Sequence, residues 1–245
     1  LDPREYEIMF HAEEHHWWYR GMEAITRALL DRWVPAGMPL RILDAGCGTG
    51  GAMSGFLARY GEVTGVDIFP AALTYCHRRN AERIACASVL ELPLDSDSFD
   101  LVTSFDVLYE RAVADEGRAL GEFFRVLLPG GRLLLRLPAY NWLRGQHDRQ
   151  VHTNRRYTRE MVKELLEKSN FAIEHITYAN TILFPLALIK RLGERIFPPR
   201  QARSDLTLNT TAYNRAFTRI LASEAFLASR VGLPFGLSVF AIARK

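Results

Sequence analysis

Apolar residues recur along this chain in two rhythms. Over residues 5–33 they follow the helical period, closed by Pro35 and Gly37. Short apolar runs then appear at 40–44, 62–67, 83–87, 99–104 and 132–137, with helical stretches near 51–60, 70–80 and 115–128 between them. Strands that alternate with helices predict an α/β fold whose parallel sheet is covered on both faces and whose crossovers are right-handed. After Pro138 the rhythm changes. Residues 142–159 are rich in Arg and His, lack periodicity and read as a loop. Thr158 is placed to cap a helix running through Lys168, with Asn170 as its stop. A strand at 171–178, helices at 181–197 and 211–230 on either side of Pro198 and Pro199, and a last strand at 237–243 complete the pattern.

Composition narrows the class. With 245 residues, 48% of them hydrophobic and 24% charged, the chain suits one folded α/β domain and is neither disordered nor long enough for two. A net charge of +3 is too small to argue for nucleic acid. Cys47, Cys76 and Cys86 are odd in number and unpatterned, so they read as reduced thiols, with no disulfide frame and no metal site. No secretory pattern opens the sequence, and the apolar stretches at 181–189 and 231–243 are too short and too interrupted to span a membrane. The expectation is a cytoplasmic protein.

The chemistry concentrates at 41–50, Arg-Ile-Leu-Asp-Ala-Gly-Cys-Gly-Thr-Gly. An apolar run reaches an acid, Asp44, and then Gly46, Gly48 and Gly50, which describes a buried strand entering a tight turn where a ligand meets the backbone. An acid just before the glycines is unwelcome to a phosphate and suggests a cationic ligand; S-adenosylmethionine carries a sulfonium and an ammonium. Gly46, Gly48 and Gly51 also spell G-x-G-x-x-G, so a nicotinamide-dependent oxidoreductase stands as the alternative. A second strand ends in Asp67, where a Rossmann-type fold holds ribose hydroxyls.

Two further stretches complete a set. Leu92-Pro93-Leu94 leads into Ser98-Phe99-Asp100-Leu101-Val102, and Arg125-Val126-Leu127-Leu128-Pro129-Gly130-Gly131 turns into Leu133-Leu134-Leu135. Together with the two acid-tipped strands, and in this order, they resemble the class I S-adenosylmethionine-dependent methyltransferases, in particular the bacterial small-molecule branch, over about residues 40–140. The resemblance implies a doubly wound, mostly parallel seven-stranded sheet with an antiparallel last strand, an N-terminal helical lid over 1–37, a donor-binding core over 38–139, an acceptor-side loop and helical insertion over 140–236, and the last strand at 237–245, all as one domain. It also implies S-adenosylmethionine as cofactor, with Asp44, Gly46, Gly48 and Gly50 at the donor's amino-acid end. Asp67 would then serve the ribose diol, Ile68 the adenine face, and Phe105 and Asp106 the sulfonium. Relatives place an acid near Ser88 for the adenine amine; Ala87-Ser88-Val89 stands here instead, which leaves that contact to Ser88, Val89 and the backbone.

The acceptor must use what remains. His15-His16-Trp17-Trp18-Tyr19-Arg20 carries more large rings than one helix face needs for docking, although a plain core role is the simpler reading. The resemblance makes it part of the lid, with Trp18 toward the acceptor and Tyr19 and Arg20 able to reach the donor's carboxylate. The second candidate, 140–157, interleaves arginines with aromatics and imidazoles, where a solvated basic loop would carry Lys, Glu and Ser. Tyr140, Trp142, Arg155, Arg156 and Tyr157 become acceptor contacts, the arginines gripping an anionic group. His147 and His152 are candidate bases with Asp148 orienting a ring; Tyr19 and Glu110 are weaker ones. The apolar run from Thr181, followed by Lys190, Arg191 and Arg195, could be an interfacial helix or an ordinary core helix with a basic end. The function expected is methylation, at oxygen, of a small or amphiphilic, lipid-linked or anionic molecule, with peripheral membrane contact as an open option. Base-amine methylation is disfavoured because 105–109 lacks the prolines of such enzymes, and an RNA substrate remains a minor alternative through the arginine-rich loop.

Overall fold

A computed structural model describes residues 3–34, 37, 39–144, 155–196 and 211–245. Seven strands form one sheet in the order β3-β2-β1-β4-β5-β7-β6: β1 (Leu40–Ala45), β2 (Gly61–Asp67), β3 (Ile84–Cys86), β4 (Phe99–Phe105), β5 (Leu127–Pro138), β6 (Ala172–Ala179) and β7 (Ser238–Arg244). The chain fills one side of β1 with β2 and β3 and then returns to its other side with β4 and β5, all parallel. That reversal opens a crevice at the carboxyl ends of β1 and β4. β7 pairs antiparallel with both β5 and β6, so β6 runs parallel to β5 and ends at the same edge. The expected architecture is therefore present.

Alternation along the strands sorts the core onto two faces. Leu133, Leu135 and Leu137 pack with Leu120, Phe123, Val162 and Leu166, residues of α5 (Glu116–Val126) and α6 (Arg159–Lys168). Leu134, Ile42, Leu101 and Phe240 meet Met22, Ile25 and Leu29 of α2 (Trp17–Trp33) together with Leu221 and Ala228 of α8 (Thr211–Ser223) and α9 (Ala225–Arg230). Asp115 caps α5 by accepting from the Arg118 amide at 3.0 Å, and Thr158 caps α6 by accepting from the Met161 amide at 3.3 Å. Asn170 follows α6 with φ of 66°, the left-handed stop its sequence predicted.

Several boundaries differ from the pattern. The helix expected at 5–33 is two, α1 (Pro3–His15) and α2, because His16 turns extended and its Nδ1 accepts from the Trp18 amide at 3.3 Å. The helix expected at 51–60 is one turn, α3 (Gly51–Ser54), then a 3₁₀ turn at Leu57–Arg59. Gly55 ends α3 in a conformation where a Cβ would lie 2.6 Å from the Gly51 carbonyl. α4 (Pro70–Arg78) follows β2. The helix expected from Thr181 begins at α7 (Phe184–Ile196). Ahead of it, the buried Glu224 carboxylate accepts from the Thr181 and Ile182 amides at 3.0 and 2.7 Å. At Glu224 the 211–230 helix divides into α8 and α9, the Glu224 amide donating to the Leu221 carbonyl three residues back. No helix among the described residues is long and apolar enough to cross a membrane.

Candidate active site

The carboxyl ends of β1, β2, β4, β5 and β6 open on one cavity of ≈ 1020 Å³. Its donor half is built at β1 and β2. Asp44 is 2% exposed and accepts from the Thr103 hydroxyl at 2.9 Å. Burial pushes its carboxyl up to about 7, against the Thr103 bond and the charge of Arg136. Gly46 follows at φ 84°, where a side chain would meet Val107 at 2.2 Å; that contact and the backbone angle both require glycine. Asp67 accepts from the Gly48 amide at 2.9 Å with one oxygen and from the Phe69 amide at 3.0 Å with the other. Its carboxyl is raised by burial and held back by those amides. Neither Asp44 nor Asp67 makes an ion pair among the described residues. Ile68, Ala87, Ser88 and Val89 line the wall beyond Asp67.

The roof is α1. Tyr6, Met9 and Glu13 face the cavity. Glu13 accepts from the Thr49 hydroxyl at 2.5 Å and from Arg79 Nη2 at 3.2 Å, while Arg79 also donates to the Phe10 and Thr49 carbonyls and to Glu14. Arg79, the residue that ends α4 as its cap, thus fastens α1 to the glycine turn. Burial raises the Glu13 carboxyl to about 7 despite those partners. The same carboxylate lies where a Cβ on Gly51 would fall, 2.4 Å away. The third glycine of the G-x-G-x-x-G series therefore faces an acid that would repel a pyrophosphate, and the one-turn α3 offers little helix dipole to hold one.

The acceptor half lies toward β5, β7 and β6. Arg136, 9% exposed, sits between the rings of Trp18 and Phe105 at 4.8 and 5.0 Å, and its Nε donates to Asp106 at 2.7 Å. Tyr19, Tyr109, Glu110 and Arg156 complete the polar wall, and Leu183, Leu186, Ala187 and Phe217 supply an apolar one. Burial, then the charge of Asp67, raises the Glu110 carboxyl to about 7. The Tyr19 and Tyr109 phenols are raised well above their usual range by burial, so both stay protonated and can donate but not serve as bases near neutrality.

Of the residues singled out in the sequence, the structure gathers Asp44, Gly46, Gly48, Asp67, Ile68, Ser88, Val89, Phe105, Trp18, Tyr19 and Arg156 on this cavity. It places others elsewhere. Gly50 turns the loop into α3 and packs on Cys76, outside the wall. Arg20 points outward and lies 3.7 Å from Glu23, because the helical period that brings Trp17, Trp18 and Tyr19 to the cavity carries the next position to the surface. Tyr140 stacks on Tyr178 with ring centres 5.3 Å apart, and Trp142 packs on Tyr140 and Phe184, both off the cavity. Arg155 pairs with Glu116 at 2.9 Å. Tyr157 is a core residue with no exposure, its hydroxyl donating to Glu116 at 2.8 Å with the Leu108 carbonyl at 3.1 Å. His147, Asp148 and His152 lie outside the described residues.

Sequence reasoning missed Tyr6, Glu13, Tyr109, Arg136 and Asn180. For Arg136 a signal existed: a single charge inside the buried run 133–137, which a strand tolerates only with partners. Glu13 and Asn180 carry no comparable signal, since an acid on a helix and an Asn after a strand are ordinary.

A Rossmann-like sheet with acids at the tips of β1 and β2, and a cavity over the switch point, is an arrangement suited to a cationic nucleoside such as S-adenosylmethionine. Residues 43–135 match the family described as a methyltransferase domain. Over 117 residues the chain is 41% identical to a malonyl-[acyl-carrier protein] O-methyltransferase of Halorhodospira halophila, covering 45% of this chain and 39% of that one. Over 106 residues it is 42% identical to a demethylmenaquinone methyltransferase of Thermus thermophilus, covering 40% and 46%. The chain thus spans less than half the length of these two relatives. The fold is similar to that of a geranyl diphosphate C-methyltransferase from Streptomyces coelicolor, with TM-score 0.58, 19% identity and coverage of 89% and 78%. Over residues 43–135 the chain is thus similar to Rossmann-like, S-adenosylmethionine-dependent small-molecule methyltransferases, and S-adenosylmethionine is the cofactor these similarities support.

Proposed function

We propose that this chain transfers the methyl group of S-adenosylmethionine to an oxygen of a small or amphiphilic, anionic acceptor by in-line displacement. The observation that carries the reading is a pair of buried carboxylates, Asp44 and Asp67, that face one cavity without an ion-pair partner among the described residues. Buried acids in that state call for a cation and hydrogen-bond donors. In this reading Asp44, Gly46 and Gly48 take the donor's amino-acid end, with Gly50 setting the turn. Asp67 accepts from both ribose hydroxyls, since two coplanar oxygens match a vicinal diol. Ile68 covers the adenine, Ser88 and Val89 meet its edge, and Phe105 and Asp106 flank the sulfonium.

S-adenosylmethionine supplies an activated methyl carbon when bound. The protein's share is positioning, which can be worth on the order of 7–11 kcal/mol, and removal of a proton where the acceptor is a hydroxyl. Glu110, with its carboxyl at about 7, is the cavity residue suited to that removal. His147 and His152, with Asp148 beside them in sequence, are a second set. Arg156 contributes positive charge to the acceptor half. The relatives' names bear on the reading unequally: a malonyl-[acyl-carrier protein] O-methyltransferase favours oxygen and an anionic acceptor, whereas a demethylmenaquinone methyltransferase favours only an apolar one. Exposed Ile182, Leu186 and Ile189 around α7 are compatible with peripheral contact with a membrane that presents the acceptor, which flotation with anionic vesicles checks.

Calorimetric titration with S-adenosylhomocysteine and with NADH tests the core of the proposal. Binding of the first and not the second is expected; the reverse would overturn it. The minor RNA alternative is tested in the same instrument with a short single-stranded RNA, for which no binding is expected.

A further inference from the structure

This inference rests on the proposed methyl transfer and concerns what the acceptor must look like. Arg136 is nine-tenths buried, yet its one hydrogen bond is from Nε to Asp106. Its two Nη groups make no hydrogen bond with any described residue, and the guanidinium is fixed by the Trp18 and Phe105 rings, so the free edge belongs to the cavity. A buried guanidinium with an unused fork seeks an oxyanion. Asn180 is 1% exposed, lines the same cavity, and its Oδ1 has no hydrogen-bond partner. Its position is pinned by the two amides that follow it, both held by Glu224. Unsatisfied buried amides are rare because each costs about 1–3 kcal/mol.

The sheet fixes how far apart these two points lie. Arg136 is on β5; Pro138 of β5 and Ala179 of β6 both pair with Ser238 of the intervening β7, and Asn180 follows Ala179. Two strand spacings across the sheet and three residues along it separate their Cα atoms, roughly 14 Å. Apolar residues of α7 and α8, among them Leu183, Leu186 and Phe217, wall the same part of the cavity. Both points lie on the far side of β4 from Asp67.

We propose that Arg136 and Asn180 form a two-point seat for the acceptor. The acceptor is a molecule with an apolar body, a carboxylate or phosphate held by the Nη edge of Arg136, and at its other end a hydrogen-bond-donating group held by the Asn180 amide.

Octanoate, 8-hydroxyoctanoate and octanol, titrated into the protein saturated with S-adenosylhomocysteine, are the probes. Expected is binding in the order 8-hydroxyoctanoate, octanoate, octanol, with at least tenfold between the acids and the alcohol. Arg136→Met should remove the advantage of the acids and Arg136→Lys should retain part of it, S-adenosylhomocysteine affinity staying within about twofold in both and reporting that the fold is intact. Asn180→Leu should erase the advantage of the hydroxylated acid and leave octanoate unchanged. Equal binding of acid and alcohol overturns the proposal. So does a loss of S-adenosylhomocysteine affinity in both Arg136 variants, which would assign the arginine to the donor's own carboxylate. Failure of the unmodified protein to bind S-adenosylhomocysteine at all would instead refute the methyltransferase reading beneath it.

Discussion

The two halves of the cavity are built by different means. The donor half is mostly backbone and strand tip: Asp44 and Asp67 lie at the ends of adjacent parallel strands, and amides of the turns that follow β1 and β2 hold Asp67 in place. Its geometry follows from about 25 consecutive residues. The acceptor half is made of side chains drawn from α2, β5, the segment before α6, the end of β6 and the α7–α8 insertion. A site of the first kind can be read from a short motif and tolerates little variation. One of the second kind can be rebuilt by changing individual side chains while the sheet stays as it is, which is how one fold serves many acceptors.

Substitutions can break that contrast or sharpen it. The largest effect is expected from Gly46→Val, which forces a branched side chain into Val107 at a left-handed backbone position; S-adenosylhomocysteine binding should disappear in calorimetry. Asp67→Ala removes a charged acceptor and should weaken S-adenosylhomocysteine by about 2–3 kcal/mol, roughly 30- to 150-fold, with the thermal midpoint little changed. An equal loss from Arg156→Ala would contradict the division into halves.

A pH titration gives a smaller effect with a definite sign. The Asp44 carboxyl is raised to about 7, so below that value it is largely protonated and neutral, and above it anionic. A cationic donor should therefore bind more tightly as pH rises, by up to about tenfold per pH unit below 7 and levelling off above it. Asp44→Asn should flatten the dependence. If it persists in that variant, Glu13 is the next group to replace, because its carboxyl is raised to the same value. The mildest change is expected from Arg20→Ala, an exposed residue in a long ion pair, which should alter stability by less than about 0.5 kcal/mol and leave donor affinity alone.

The sheet was legible because each strand is a short apolar run and the helices between them carry their own stops. Strand order beyond β5 was not in the periodicity; it came from likeness to a known family. Helix lengths were overestimated where a single residue outweighs the pattern, as His16 and Gly55 do. In the site, the residues at the tips of β1 and β2 were readable because acid and glycine are costly there without a purpose. The arginine-rich loop misled in part. Its composition pointed to anion binding, but Arg155 is spent on Glu116 and Tyr157 on the core, and only contact across 41 residues of sequence reveals it. Arg136 needed its partners in space before its unused edge could be noticed.

The fastening of α1 by Arg79 separates what keeps the sheet folded from what encloses the donor. No core residue of the two sheet faces comes from the stretch before Trp17. A protein trimmed to start at Trp17 would keep its architecture and lose its ceiling, with the nucleoside floor exposed to bulk water. Residence time of the donor then depends on one short helix and the few contacts that tie it down, chiefly Arg79 and Thr49, which can be tuned without touching a strand.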